Sequence, residues 1–248
     1  MKSLCFAIAP LALALTLPGA AMAHSDQPVI AASSTLLTLS VEGKSTRKPD
    51  LAVFSAGVTT QGTTASEAMS ANAAAMTQVV ATLKKAGIAD RDIQTSQISL
   101  SPVYGQPVMG RDGQVIQEPR IIGYQATNQV TVRSRDVKGF GKVLDALVGS
   151  GANQINGPSF QLDDPAGAMD EARTRAMKAA RARADLYAKA AGLRVVRIVS
   201  ISESGGYSAQ PVYARAAMAD AAPEAVTPVE AGEVEAQVNL TIQFELAP

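Results

Sequence analysis

The chain has 248 residues, with 22 lysines and arginines balancing 22 aspartates and glutamates, one cysteine, one histidine and no tryptophan. Neutrality removes the field that would attract nucleic acid or anionic lipid, and one Cys5 with one His24 cannot build a cysteine–histidine zinc site, a haem or iron–sulfur centre, or an internal disulfide. Apolar residues make up 47% of the chain but aromatics only 4%, so a core must bring backbones together around small side chains instead of filling space with rings.

Residues 1–23 begin with Lys2, run through an apolar stretch over 4–17 and end on Ala21-Met22-Ala23. A basic start, a short apolar centre and a small-x-small exit predict a secretory signal peptide cut between Ala23 and His24. The apolar run is too short for a stable membrane span. Cleavage would remove Cys5 and Lys2, leaving a net charge of −1 and His24 at the new amino terminus. Because His24 and not a cysteine follows the cut, lipoprotein acylation is not expected. Residues 24–34 read as a flexible lead-in and 35–248 as one α+β domain.

A strand is predicted over 36–42, then a turn-like stretch over 43–50 and a second strand over 51–60 carrying Val53, Phe54 and Val58. The next segment reads as a helix. Thr64 followed by Glu67 fits a capping box, and Ala65, Met69, Met76, Val79, Val80 and Leu83 recur at near-helical spacing. Lys84 and Lys85 suit the last turn and Gly87 the left-handed cap. A strand follows over 93–104. Three prolines and three glycines in 102–119, with Asp112-Gly113 among them, predict a long projecting hairpin.

The chain returns as a strand over 121–132, with Ile122, Tyr124, Ala126, Val130 and Val132 on one face and Asn128 as the polar exception. A short helix over about 137–148 leads through Gly149 and Gly151 into a strand over 154–162. Asp164-Pro165 opens the longest helix, Asp as N-cap and Pro in the first turn, and it ends at Gly192. A strand over 194–203 precedes an Ala-, Pro- and Gly-rich stretch over 205–232, read as an extended loop. The last strand alternates Val234, Ala236, Val238, Leu240, Ile242, Phe244 and Leu246 with polar residues. One dry and one wet face belong to antiparallel sheet. Three stretches, 79–100, 143–162 and 187–202, each run from a helix end through glycine into a strand. These repeated units predict largely antiparallel sheets with helices packed on one face.

Catalytic chemistry is hard to place. Nucleophilic catalysis usually pairs Ser, Cys or Thr with a base, most often histidine. Here His24 lies at a terminus, no G-x-S-x-G surrounds any serine, and no phosphate-binding G-x-x-x-x-G-K-[ST] or G-x-G-x-x-G is present. No catalytic, cofactor-binding or metal-binding residue is therefore assigned. His24 with its free amine could bind Cu(II) but lacks a second side-chain ligand, which favours a loose tail. Met69 and Met76, seven apart, would suit an oxidant sink or Cu(I), but methionine on an apolar stripe is normally core. The pairs Asp90/Asp92 and Asp163/Asp164 lack the further oxygens a calcium loop needs, and loop and cap duty explains them. On the long helix Arg173, Arg175, Lys178, Arg181, Arg183 and Lys189 outnumber Asp170, Glu171 and Asp185. Helical spacing places Arg183 among Ala172, Ala176, Ala179 and Ala190, where a guanidinium must snorkel or meet a carboxylate; an interface ion pair is the expectation there.

Val41-Glu42-Gly43, Pro49-Asp50, the capped helix and Asp92-Ile93-x-Thr95 resemble the SIMPL-domain family of bacterial periplasmic proteins. So do Gly123-Tyr124-x-Ala126-x-Asn128, Gly151-Ala152-Asn153, the Ala-rich helix through Tyr187-Ala188 and the strand after Gly232. The resemblance covers about residues 35–246 in consistent order. It implies an α+β fold, export to the periplasm and ring- or channel-like homo-oligomers, in a family that includes periplasmic immunogenic antigens and oxidative stress defence proteins. It carries no active site. The shared residues read as structural, Gly43 and Gly151 for turns, Pro49-Asp50 for the start of a strand and Asn128 for hydrogen bonding within the sheet.

The expectation is thus an exported, non-enzymatic, self-assembling protein contributing to envelope or oxidative stress tolerance, with loops 102–119 and 205–232 as its arms. No nucleic acid partner and no membrane span in the mature chain are expected, while contact with the outer membrane is compatible with the reading. The alternative is a holdase-like or lipid- or client-binding module of the envelope. An enzyme working through carboxylates or Tyr104, Tyr124 or Tyr187 ranks last.

Overall fold

A computed structural model describes residues 31, 33–109, 114–205, 207, 210–212 and 227–248. The signal segment, Ala23 and His24, the Asp112-Gly113 turn and most of 205–232 lie outside the described residues.

The strands are β1 (Thr35–Arg47), β2 (Leu51–Gly62), β3 (Ile93–Tyr104), β4 (Val108–Met109), β5 (Val115–Gln117), β6 (Ile121–Ser134), β7 (Gln154–Gln161), β8 (Arg194–Ser204), β9 (Gln210–Val212) and β10 (Glu233–Ala247). The helices are α1 (Ala65–Lys85), α2 (Phe140–Gly149) and α3 (Ala166–Ala190). One sheet has the order β1-β10-β8, with β9 also on β10, and the other β3-β6-β2-β7. β4 and β5 form a separate two-stranded hairpin within the expected projecting loop. All pairings are antiparallel. This is the α+β architecture the sequence predicts.

Each sheet has its own core. α3 lies on β1 and β10, over Val238, Leu240, Ile242 and Phe244, while α1 lies on β2 and β6, with α2 beside it, over Phe54, Val58, Val79, Leu83 and Phe140. The Phe54 and Phe140 rings meet edge to face at 4.9 Å. The second sheet is built from one continuous stretch, 51–161, whereas the first joins β1 from the start of the chain to β8–β10 from its end. The three helix–glycine–strand units recur as α1–Gly87–β3, α2–Gly151–β7 and α3–Gly192–β8. Their glycines have φ of 87°, 96° and 71°, which a side chain would oppose.

The capping box on α1 forms as expected, the Thr64 hydroxyl accepting from the Glu67 amide while Glu67 accepts from the Thr64 backbone N–H. The N-terminus of α3 differs by one residue. Pro165 occupies the N-cap position, and Asp164 instead accepts from the Ala166 amide at 2.9 Å. A larger difference concerns residues 43–50. β1 runs on to Arg47, and Gly43 is a mid-strand residue opposite Val238, not a turn. The reason is close packing, since a Cβ at Gly43 would stand 2.0 Å from the Ala172 carbonyl oxygen and 2.8 Å from the Ala176 amide nitrogen. The buried stripe of α3 explains why such an approach is possible. It is Ala168, Ala172, Ala176, Ala180, Ala184 and Ala188, a four-residue alanine repeat with nothing to hold the helix off the sheet.

Candidate functional site

The ends of β2, β3, β6 and β7 bring together charges that lie far apart in the chain. β6 ends with Arg133 and Ser134, followed by Arg135. The Arg135 guanidinium binds Asp92 through Nη1 at 2.8 Å and Asp163 through Nε at 2.8 Å, and Arg133 reaches Asp163 at 2.9 Å. Asp50 accepts from the Asp163 amide at 2.7 Å, and its own amide donates to Gln161. Residues 48–50 and 162–165 are two of the passages between the sheets, and this network holds both of them at the end of the second sheet. Arg135, and next Arg133, hold the Asp163 carboxyl below the usual aspartate range. Asp90, in contrast, is exposed and meets Lys84 at 2.9 Å.

Sequence spacing pairs Asp90 with Asp92 and Asp163 with Asp164. The structure pairs Asp92 with Asp163 instead, through an arginine that no motif singled out. Arg133-x-Arg135 directly after an alternating strand was the available signal.

A second network ties α3 to β1 and β8. Glu171 accepts from Ser45 at 2.8 Å and Arg47 at 2.6 Å and also meets Arg175, whose guanidinium caps the Lys44 carbonyl. The Ser45 hydroxyl is the leading cause of the lowered Glu171 pKa. Arg173 binds Glu203 through two nitrogens and Asp170 at 2.7 Å, and Arg181 pairs with Asp185 at 3.2 Å.

Arg183 is exposed and, among the described residues, makes no ion pair. Its expected place among core alanines is wrong, because the contact stripe advances by fours and runs through Ala180 and Ala184. Asn128 also departs from expectation. Its Oδ1 is buried without a hydrogen-bond partner, on the wall of a cavity of about 340 Å³ shared with Ala73, Met76, Thr77 and Val80 of α1. A polar residue that does bond to this sheet is Asn72 of α1. It is 2% exposed, and its Nδ2 donates to the Val58 carbonyl at 2.8 Å and the Ala126 carbonyl at 3.1 Å. Met76 is core, while Met69 is exposed. The stripe Ala68, Asn72, Met76 winds across the helix, and Met69 falls beside it. Gly151 follows α2, and Pro49-Asp50 precede β2.

Neither helix covers the outer strand of its sheet. On β3, Ile98 and Leu100 lie opposite Asn128 and Ala126, on the side of α1, yet Ile98 is 60% exposed. On β8, Ile201 lies opposite Ile242, beneath the level of α3, and is 53% exposed. Both sheets therefore end in an apolar ledge beside a helix. Among the described residues there is no group of three or more His, Cys, Asp or Glu side chains that could hold a metal ion. No helix there is long and apolar enough to cross a membrane.

The chain thus forms two sheet-and-helix layers, each with an uncovered apolar edge. The family described as SIMPL, protein of unknown function (DUF541), matches residues 37–244, and the chain belongs to it. The chain is also 40% identical over 208 residues to the 26 kDa periplasmic immunogenic protein of Brucella melitensis biotype 1, covering 83% of this chain and 82% of the relative. The protein of the same description from Brucella abortus strain S19 matches to the same extent.

Proposed function

We propose that this is an exported periplasmic protein without enzymatic activity, which assembles with copies of itself and contributes to envelope or oxidative stress tolerance. The periplasmic relatives and the leader-like residues 1–23 support the location, with cleavage between Ala23 and His24. The pair of uncovered apolar ledges on β3 and β8 carries the assembly reading, since an edge strand with apolar neighbours is a natural pairing surface. Arg183, exposed on α3, is available for an acidic partner on another copy. The stress role rests on the resemblance to stress defence proteins and would be indirect.

The test is size-exclusion chromatography with light scattering on the chain beginning at His24. Self-assembly predicts a defined oligomer at micromolar concentration that Ile98→Asp or Ile201→Asp dissociates. A strict monomer refutes it.

The same ledges support a second reading, capture of unfolded clients or lipid. The cavity beside Asn128, with the exposed Ile98 paired opposite that residue on β3, is where such a ligand would sit. Failure of the purified protein to suppress aggregation of a denatured substrate such as citrate synthase dismisses that reading.

A further inference from the structure

We propose that the open edge of β3 binds an extended, uncharged polypeptide segment with apolar residues at every second position, which adds to the second sheet as a fifth strand. This assignment rests on the client-capture reading and names the client's chemistry and its place on the fold. β3 is an outer strand, paired among the described residues with β6, and residues 94–102 are all exposed. A register irregularity after Thr95 and the missing donor of Pro102 limit the regular open edge to Gln97–Ser101. Its outward backbone N–H and C=O groups are a template for another strand.

Long edges are normally guarded by charge, proline or cover, and the other outer strands follow that rule. β1 lies under α3 with Val41, Gly43 and Ser45 buried, and it carries Glu42, Lys44 and Arg47. β7 contains Pro158. β8 carries Arg194, Arg197 and Glu203, the last held by Arg173. β3 has none of these over Gln97–Ser101, and no Asp, Glu, Lys or Arg occurs from Ile93 to Met109.

The side chains state what the added strand must look like. Ile98 and Leu100 lie on the α1 side, opposite Asn128 and Ala126, while Gln97, Ser99 and Ser101 lie on the other, opposite Gln129, Thr127 and Gln125. A neighbouring strand sets its own side chains beside these in the same alternation. Apolar residues would cover Ile98 and Leu100, and hydroxyl or amide residues would meet the polar row. A charged residue would lose water there and find no opposite charge. A second copy's β3 fits less well. Two-fold pairing centred on Ser99 carries the chain beyond Tyr104, with the exposed Met109, Val115 and Ile116 that follow, toward residues 90–93 of the other copy, where Asp90 and Arg91 are exposed.

The experiment titrates the purified chain beginning at His24 into a capped, dye-labelled heptapeptide alternating Ser or Thr with Val or Ile, followed by fluorescence anisotropy. Three companions are a peptide of the same composition with its apolar residues contiguous and two peptides N-methylated on one or the other set of alternate residues. The alternating peptide is expected to bind saturably and the contiguous one at least tenfold more weakly. One N-methylated form should lose at least tenfold and the other should keep its affinity, because one set of amides faces β3. Ile98→Lys alters an exposed side chain and should weaken binding at least tenfold, while Ile201→Asp on β8 leaves it unchanged. No saturable binding, equal affinity of the two N-methylated forms, or wild-type affinity in Ile98→Lys overturns the site. Light scattering alongside identifies a second copy as the occupant if the peptide binds only where the chain is monomeric, which also overturns it. Suppression of citrate synthase aggregation without peptide binding overturns the β3 assignment and leaves client capture standing; peptide binding without suppression does the reverse.

Discussion

Gly43→Ala sets two effects of opposite sign against each other. In a strand interior glycine is worse than alanine by roughly 0.5–1 kcal/mol, because it loses more backbone freedom on folding. Nothing in the backbone dihedral of Gly43 requires glycine, so without neighbours the substitution would stabilise. The neighbours reverse this. The new Cβ would stand 2.0 Å from the Ala172 carbonyl oxygen and 2.8 Å from the Ala176 amide nitrogen. Both atoms belong to the α3 backbone and cannot swing aside as a side chain tip would. The helix must lift from the sheet along the alanine stripe, loosening contacts with Val238, Leu240 and Ile242. Overpacking of this type costs about 1–3 kcal/mol, and this contact, with helix backbone on one side and strand backbone on the other, belongs at the upper end. At roughly 2–4 °C per kcal/mol for a chain of this size, the melting temperature should fall by about 4–10 °C.

Urea unfolding followed by far-ultraviolet circular dichroism gives the free energy. Gly167→Ala is the matched control. It lies in the first turn of α3, and a Cβ there meets nothing within 4 Å, so helix propensity should stabilise it by up to about 1 kcal/mol. If Gly43→Ala proved neutral or stabilising, the close-approach account of this glycine would be refuted.

Asn72→Ala strips the donor from the Val58 and Ala126 carbonyls in a buried position and should cost about 2–4 kcal/mol, read as a lower urea midpoint. Phe244→Ala empties the centre of the first sheet's core, where Phe244 is fully buried, and should cost about 3–5 kcal/mol by the same assay. Asp163 has a folded pKa depressed by Arg135 and Arg133, so its contribution is complete above the unfolded value and disappears as pH falls through the folded one. Stability should therefore drop below about pH 4. Asp163→Asn should flatten that part of the profile between pH 5 and 2, and an unchanged acid slope would refute the assignment.

Local chemistry was legible in the sequence wherever one segment decides its own conformation. The Thr64–Glu67 box, the three glycines after the helices and the alternation of β10 all read correctly, because caps, left-handed turns and period-two burial depend on near neighbours. Gly43 was misread because glycine signals a turn and a close approach equally well, and only the position of α3 separates them. Asn128 was misread and Asn72 passed over for a similar reason. Period-two reading places Asn128 on the inner face but cannot show that α1 presents Asn72 to the same strands first. The Asp92–Arg135–Asp163 link joins residues 28 and 43 positions from the arginine, and no spacing rule reaches that far.

The division of the chain between the sheets follows from the same distinction between near and far. Residues 51–161 contain every strand and helix of the second sheet, so its pairings close loops within one continuous stretch. β1 must instead wait for β10, and Val41 finds Leu240 only after nearly the whole chain is available. Long loop closure is slow but not prohibitive, since its entropic cost rises only logarithmically with length. What makes the distant pairing specific is the length and polarity pattern of β10, which pairs with β1 along thirteen residues from Thr35–Leu246 to Arg47–Val234. A one-residue slip would turn Val238, Leu240, Ile242 and Phe244 away from α3 and place polar neighbours against an alanine stripe that has no partners to offer them. The alanine repeat, the missing side chain at Gly43 and the alternation of β10 thus enforce the same register from three directions, and the passages at Asp50 and Asp163 connect that sheet to one able to form first.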